Sequence, residues 1–227
     1  MRAMRSWVKL PSGWLERREL RAFAWGKQGG SAQTAALMVL LAIAHRAADD
    51  TGIARLPYDE LQWATHLSRT KIADGLDVLA ARQLILREPH GRSTFQLSNY
   101  DPTQGWAMLP AQRLYSSDGI SAFSDFYLRR KVELDALKAY FAFAARRDRD
   151  QNRAYMTYPQ LNEYTGIPEA RIKAAISFLV VNNLIVVEQI ERSGFGVSHA
   201  YRLTHLQPRR HLGTTEHVAL PLADDPF

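Results

Sequence analysis

The sequence predicts a chain that is mainly α with small β ribbons, an α+β fold written as two tandem copies of one unit. Three observations carry this reading. The sequence matches itself at a shift of 100, apolar residues in each copy fall first at helical spacing and then alternate, and one short turn motif recurs between helices in both copies. From 20 to 88, the shift of 100 gives 17 identities in 69 positions without a gap. Leu20-Arg21-Ala22-Phe23 meets Ile120-Ser121-Ala122-Phe123, and Leu61, Thr65, Ile72, Leu79, Leu84 and Ile85 meet the same residue types in the second copy. Upstream, Trp7-x-x-Leu10-Pro11 matches Trp106-x-x-Leu109-Pro110 at a shift of 99. The expected organisation is a first domain over 1–101, a Pro/Gly linker over 102–105, a second domain over 106–205 and an extended tail over 206–227.

In the first copy, Leu37, Leu40, Leu41 and Ala44 predict a helix from Thr34 to Ala47, closed by the turn cluster Ala48-Asp49-Asp50-Thr51-Gly52. Pro57 to Ala64 reads as a short helix facing inward through Leu61 and Ala64. Thr65-His66-Leu67-Ser68 is a tight turn with Ser68 as the N-cap of a longer helix, Arg69 to about Arg82, that buries Ile72, Leu76 and Leu79. Leu84 to Glu88 and Ser93 to Leu97 then alternate as two strands around Pro89-His90-Gly91-Arg92. The second copy repeats this order: a helix from Glu133 to Arg147, a short helix over Gln160 to Tyr164, the turn Thr165-Gly166-Ile167-Pro168, a helix from Glu169 to Val181, and strands Leu184 to Ile190 and His199 to Leu203.

Helix, short helix, turn, longer helix and ribbon closely resemble the winged helix-turn-helix superfamily, over roughly 34–97 and 133–203. The shared signature reads Leu61…Thr65-His66-Leu67-Ser68…Lys71-Ile72…Leu76…Leu79…Leu84-Ile85, and again Leu161…Thr165-Gly166-Ile167-Pro168…Arg171-Ile172…Ile176…Leu179…Leu184-Ile185. The resemblance implies two tandem winged helix-turn-helix domains from an internal duplication, with double-stranded DNA as partner. The first turn of the second helix is the part that such a fold offers to base edges. In copy one that turn is Ser68-Arg69-Thr70-Lys71, with Asp74 next on the same face. Copy two offers Arg171 and Lys173, but Glu169 at its start favours the helix dipole and repels phosphate, so this helix either reads DNA or serves as a dimerisation or protein-binding module. The wing tips add Arg92 and Arg192. The five tryptophans read as packing anchors.

Composition bounds the chemistry. An apolar content of 46% supports a sizeable core, and 29 Lys+Arg against 23 Asp+Glu give a net charge of +6, which suits a polyanionic partner. With no Cys there is no disulfide, thiolate chemistry or Cys-ligated zinc. The seven His lack metal-ligand spacing, and Gly26 to Ser31 lacks the order of a phosphate-binding loop. The expectation is a binding protein, not an enzyme, without cofactor or metal, cytoplasmic and without a membrane span.

The last residues, Asp224-Asp225-Pro226-Phe227, resemble the C-terminal tip of bacterial single-stranded-DNA-binding proteins, which implies a tail that recruits replication or repair proteins. Duplicated winged helices resemble the architecture of plasmid replication initiators. That resemblance implies sequence-specific duplex binding in replication or maintenance of a plasmid, phage or mobile element, with a capacity to form a homodimer. A dimeric transcriptional regulator and a protein adaptor working through the tail are the alternatives.

Overall fold

The computed structural model describes residues 4–26, 29–191 and 197–207, with no side-chain detail over 191–198. The described residues form a mixed α/β chain of seven helices and small antiparallel sheets. The first half runs β1 (Trp7–Pro11), α1 (Gly13–Glu16), a 3-10 turn over Glu19–Ala22, α2 (Gly30–Arg46), β2 (Ile53–Arg55), α3 (Tyr58–Thr65), α4 (Arg69–Ala81), β3 (Ile85–Arg87) and β4 (Thr94–Leu97). The second runs β5 (Trp106–Pro110), β6 (Tyr115–Ser116), β7 (Gly119–Ile120), a 3-10 turn over Ser121–Phe123, α5 (Lys131–Ala145), β8 (Arg147–Asp148), β9 (Arg153–Tyr155), α6 (Tyr158–Thr165), α7 (Glu169–Val181), β10 (Ile185–Glu191) and β11 (Val197–Leu203). Among the described residues no helix is long and apolar enough to cross a membrane.

Helices α2 and α5 form the centre. Every residue from Thr34 to His45 is buried, as is every residue from Glu133 to Ala144, so neither helix has a solvent face over that stretch. A helix buried on all sides needs neighbours that cover it completely, and α5 keeps Glu133, Asp135 and Lys138 within that buried stretch. Here α2 and α5 pack on each other, α4 lies on α2 and α7 lies on α5. The buried apolar side chains form one cluster from Val8 to Leu206 that runs through both halves.

The ribbons differ from the two-stranded hairpins expected from alternation. In the first half β2 joins the hairpin to give the order β2-β4-β3, and in the second β8 and β9 extend it to β10-β11-β9-β8. These added strands are only two or three residues long, too short for alternation to reveal them. Likewise α2 begins at Gly30 rather than Thr34.

Between the halves, some contacts come in reciprocal pairs. β1 pairs antiparallel with β5, Trp7 opposite Pro110 and Pro11 opposite Trp106, so equivalent strands meet about a local two-fold at Lys9 and Met108. The two tryptophan rings stack across this pair with centroids 5.8 Å apart. The turn over Glu19–Ala22 leans on α6, where Arg21 donates to the carbonyls of Asn162, which also accepts from Gly166 N, and Glu163 at 3.3 and 2.9 Å, near the end of the helix. The equivalent segment of the second half leans on α3. Trp63 Nε1 donates to the Ser117 carbonyl at 2.9 Å, and a Cβ on Gly119 would fall 2.0 Å from the Trp63 carbonyl oxygen. The segment over 102–105 is tied down as well, by Ser12 N to the Gly105 carbonyl at 2.8 Å and Lys9 Nζ to the Pro102 carbonyl at 2.7 Å.

Candidate nucleic-acid interface

The recurring turn between the short and long helices rests on its threonine. Thr65 is buried; its hydroxyl donates to the Leu61 carbonyl at 2.6 Å and accepts from Leu67 N at 3.4 Å. Thr165 is buried likewise and bonds to the Leu161 carbonyl and to Ile167 N. The residue after it must turn left-handed, with φ of +58° at His66 and +69° at Gly166. Glycine adopts that conformation at no steric cost, whereas histidine bears some strain there. The signature spacing from Leu to Thr therefore encodes a braced turn that fixes the angle between the two helices.

Ser68 caps α4, its hydroxyl accepting from Lys71 N at 3.3 Å. Beyond it, Arg69 and Thr70 are exposed, and each nearby cation meets an acid. Arg69 lies 2.6 Å from Asp59 and donates to Gln62 at 3.1 Å; Lys71 lies 3.1 Å from Asp74 and 3.2 Å from the Ser31 hydroxyl; Arg87 of the ribbon lies 2.5 Å from Asp77. These pairs are well exposed to water, and such pairs are worth only ~0–1 kcal/mol. A bidentate contact to a base is worth ~1–3 kcal/mol of discrimination. Exchange of Asp59 or Asp74 for a base edge is thus energetically open to Arg69 and Lys71.

Arg171 is placed differently. Its guanidinium makes a two-pronged contact to Asp135 of α5 at 3.0 and 3.1 Å, and that carboxylate is 5% exposed. Lys138, one turn further along α5, is buried and donates to the Phe23 carbonyl at 2.8 Å. Burial lowers Lys138 to about 8, and burial raises Asp135 against the opposing pull of Arg171 and Lys138. Taking Arg171 away would strand a buried carboxylate, at a cost of ~3–5 kcal/mol in fully buried pairs and somewhat less here, where the guanidinium is half-exposed. In this structure the Arg171 guanidinium ties α7 to α5. Lys173 stands exposed without a hydrogen-bond or ion-pair partner among the described residues.

At the ribbon, Arg92 is exposed and likewise unpaired. Beside it the structure brings Arg55, which the sequence reading passed over. Arg55 is the last residue of β2, opposite Thr94, and Leu56 N donates to the Ser93 carbonyl, so Arg55 and Arg92 lie at one end of the sheet. Four residues after Arg55, Asp59 holds Arg69, which connects the ribbon end to the start of α4. The only signal for Arg55 was its place after Ala54, the outward position of a three-residue strand. Its counterpart is Tyr155, itself exposed. Arg192 and the tail residues Asp224, Asp225, Pro226 and Phe227 lie outside the described residues. Among the described residues no group of three or more His, Asp or Glu is placed to hold a metal ion.

No known family, curated protein or solved structure matches this chain.

Proposed function

We propose that the chain is a sequence-specific double-stranded-DNA-binding protein whose halves are tandem winged helix-turn-helix units. The observation that carries the reading is the first-half surface at the start of α4. A Ser-capped first turn with releasable Arg69 and Lys71 adjoins the ribbon end that carries Arg55 and Arg92. Base edges fall to Arg69, Thr70 and Lys71, and backbone phosphate to Arg55 and Arg92. The second half contributes Lys173, while Arg171 holds α7 in position. Replication or maintenance of a plasmid, phage or other mobile element is the setting we assign, on the resemblance of the duplicated unit to plasmid initiators. The reciprocal contacts between the halves favour a second reading of that setting, regulation at an operator with inverted half-sites.

Gel shifts with DNA flanking the gene test the proposal. Arg69→Ala and Lys71→Ala are expected to weaken binding of the preferred duplex by about 5- to 150-fold, the equivalent of ~1–3 kcal/mol, and to relax sequence preference. Arg55→Ala and Arg92→Ala are expected to weaken all duplexes alike and to lower the salt slope by about one each. Wild-type protein that binds every duplex equally weakly and lets go at moderate salt would overturn it.

A further inference from the structure

The polar contacts around Phe23 have no mirror image in the other half. Arg82, at the end of α4, donates through Nη2 to the Ala22 carbonyl at 2.7 Å and to Gln33 Oε1 at 3.0 Å, and its guanidinium lies over the Phe23 ring at 4.3 Å. The carbonyl of that same phenylalanine accepts from Lys138 Nζ of α5 at 2.8 Å. Lys138 stands one turn from Asp135, which holds the Arg171 guanidinium of α7. At the equivalent positions the other copy has Asn182 for Arg82, Met38 for Lys138 and Ala35 for Asp135, while Lys71, the counterpart of Arg171, meets Asp74 of its own helix.

Burying an amine and a carboxylate costs more than burying methionine and alanine, and the first copy packs its central helix with the apolar pair. The polar set thus adds something that packing alone does not need. Phe23, Asp135 and Lys138 are all buried, and contacts among buried polar groups are firm because little water competes for them. The charges of Asp135, Arg171, Arg21 and Arg82 all act on Lys138, so the end of α4 and the start of α7 share one electrostatic neighbourhood.

We infer that Arg82, the backbone of Ala22 and Phe23, Lys138 and Asp135 form one link that couples the end of α4 to the start of α7. Arg82 and Lys138 are then positioning residues for α7, which keeps its place only while both grip the segment at Phe23. On the duplex-binding reading, on which this consequence alone rests, a duplex that displaces α4 displaces α7 with it, and the two halves engage DNA cooperatively.

Hydrogen exchange on the full chain, without DNA, tests the link. The substitutions are borrowed from the other copy, Arg82→Asn and Lys138→Met, because each residue already stands at the equivalent place there. Arg82→Asn is expected to speed exchange of the amides of 172–176 in α7 about tenfold, within the range over which members of one network couple. Arg87→Ala, which breaks an exposed pair with Asp77 in the same half, is expected to leave those amides unchanged. With Lys138→Met already in place, Arg82→Asn is expected to add no further change, whereas a purely local role for Arg82 would let the two effects multiply. Should Arg82→Asn unfold the chain, Gln33→Ala loosens the same guanidinium and is expected to move the same amides by a smaller factor. Wild-type exchange of 172–176 in the folded variant overturns the proposal, and so do effects that multiply. Neither result bears on whether the chain binds DNA, which the gel shifts measure separately.

Discussion

His45 lies near the end of α2 with its ring wholly buried, Nδ1 3.0 Å from the Tyr115 hydroxyl, and Tyr115 stacks on Trp63 with centroids 5.4 Å apart. Burial holds the imidazole at about 3, against 6.5 for a free side chain. The unfolded chain therefore takes up this proton first. Its contribution to stability is complete above pH 6.5 and falls as pH drops toward 3, with a slope of up to about 1.4 kcal/mol per pH unit. His45→Gln is expected to flatten that part of the pH profile while lowering stability at neutral pH by about 1 kcal/mol for the lost hydrogen bond. Urea midpoints measured from pH 7 to pH 4 decide the matter; an unchanged slope in the variant would assign the acid sensitivity elsewhere. At this scale the sequence was only partly legible. Ser68, Arg69 and Lys71 stand where the turn motif put them, because a cap and its first turn are local features. Arg171 turns inward because its partner, Asp135, lies 36 residues back, and nothing in the i, i+3, i+4 spacing of α5 marks Asp135 or Lys138 as buried.

Among the elements, α4 and α7 occupy the same place in their halves but reach the central helix by different means. A Cβ on Gly75 would stand 3.0 Å from the backbone of Ala35 and Ala36, so α4 lies on α2 closely enough that a side chain there would press on that backbone by a few tenths of an ångström. In the second half the equivalent residue is Ala175, and the Arg171–Asp135 pair joins α7 to α5. Gly75→Ala gains ~1 kcal/mol of helix propensity but forces two backbones apart, and overpacking of this kind costs ~1–3 kcal/mol. The expected outcome is a net loss of stability and a displaced α4 and, on the proposed function, weaker DNA binding out of proportion to the loss of Tm. Thermal melts and gel shifts on the same variant check it; a stabilised protein with unchanged binding would show that α4 has room to move. The long helices were legible from apolar spacing because their buried faces are regular. β2, β8 and β9 were not, since a strand of two or three residues is defined by the partner that recruits it rather than by its own alternation.

For the molecule as a whole, the repeat was legible but its use was not. A shift of 100 announces two copies; it does not say that the strand of one pairs with the strand of the other, or that each half lends its turn to the other's short helix. Those contacts obey one rule. Trp7 faces Pro110 and Pro11 faces Trp106, and the first half's turn leans on α6 as the second half's leans on α3. That rule is the one a symmetric homodimer obeys, where residue i meets j and j meets i. The strand pair and the two leaning turns thus meet as equivalent parts of a symmetric dimer would. On the DNA-binding reading proposed above, duplex DNA, which has two-folds of its own, would offer two halves related this way half-sites that are inverted rather than directly repeated. On that reading the half-sites differ as well, because the first half offers Ser68, Arg69, Thr70 and Lys71 and the second offers Lys173 beside Glu169. The site that the proposed function leads us to expect is an imperfect inverted repeat occupied by one chain, its α4 half more sensitive to base changes than its α7 half. Footprinting combined with the mass of the complex on a minimal duplex tests this. Two chains on one minimal site, or protection of a direct repeat, would show that the reciprocal contacts serve folding alone.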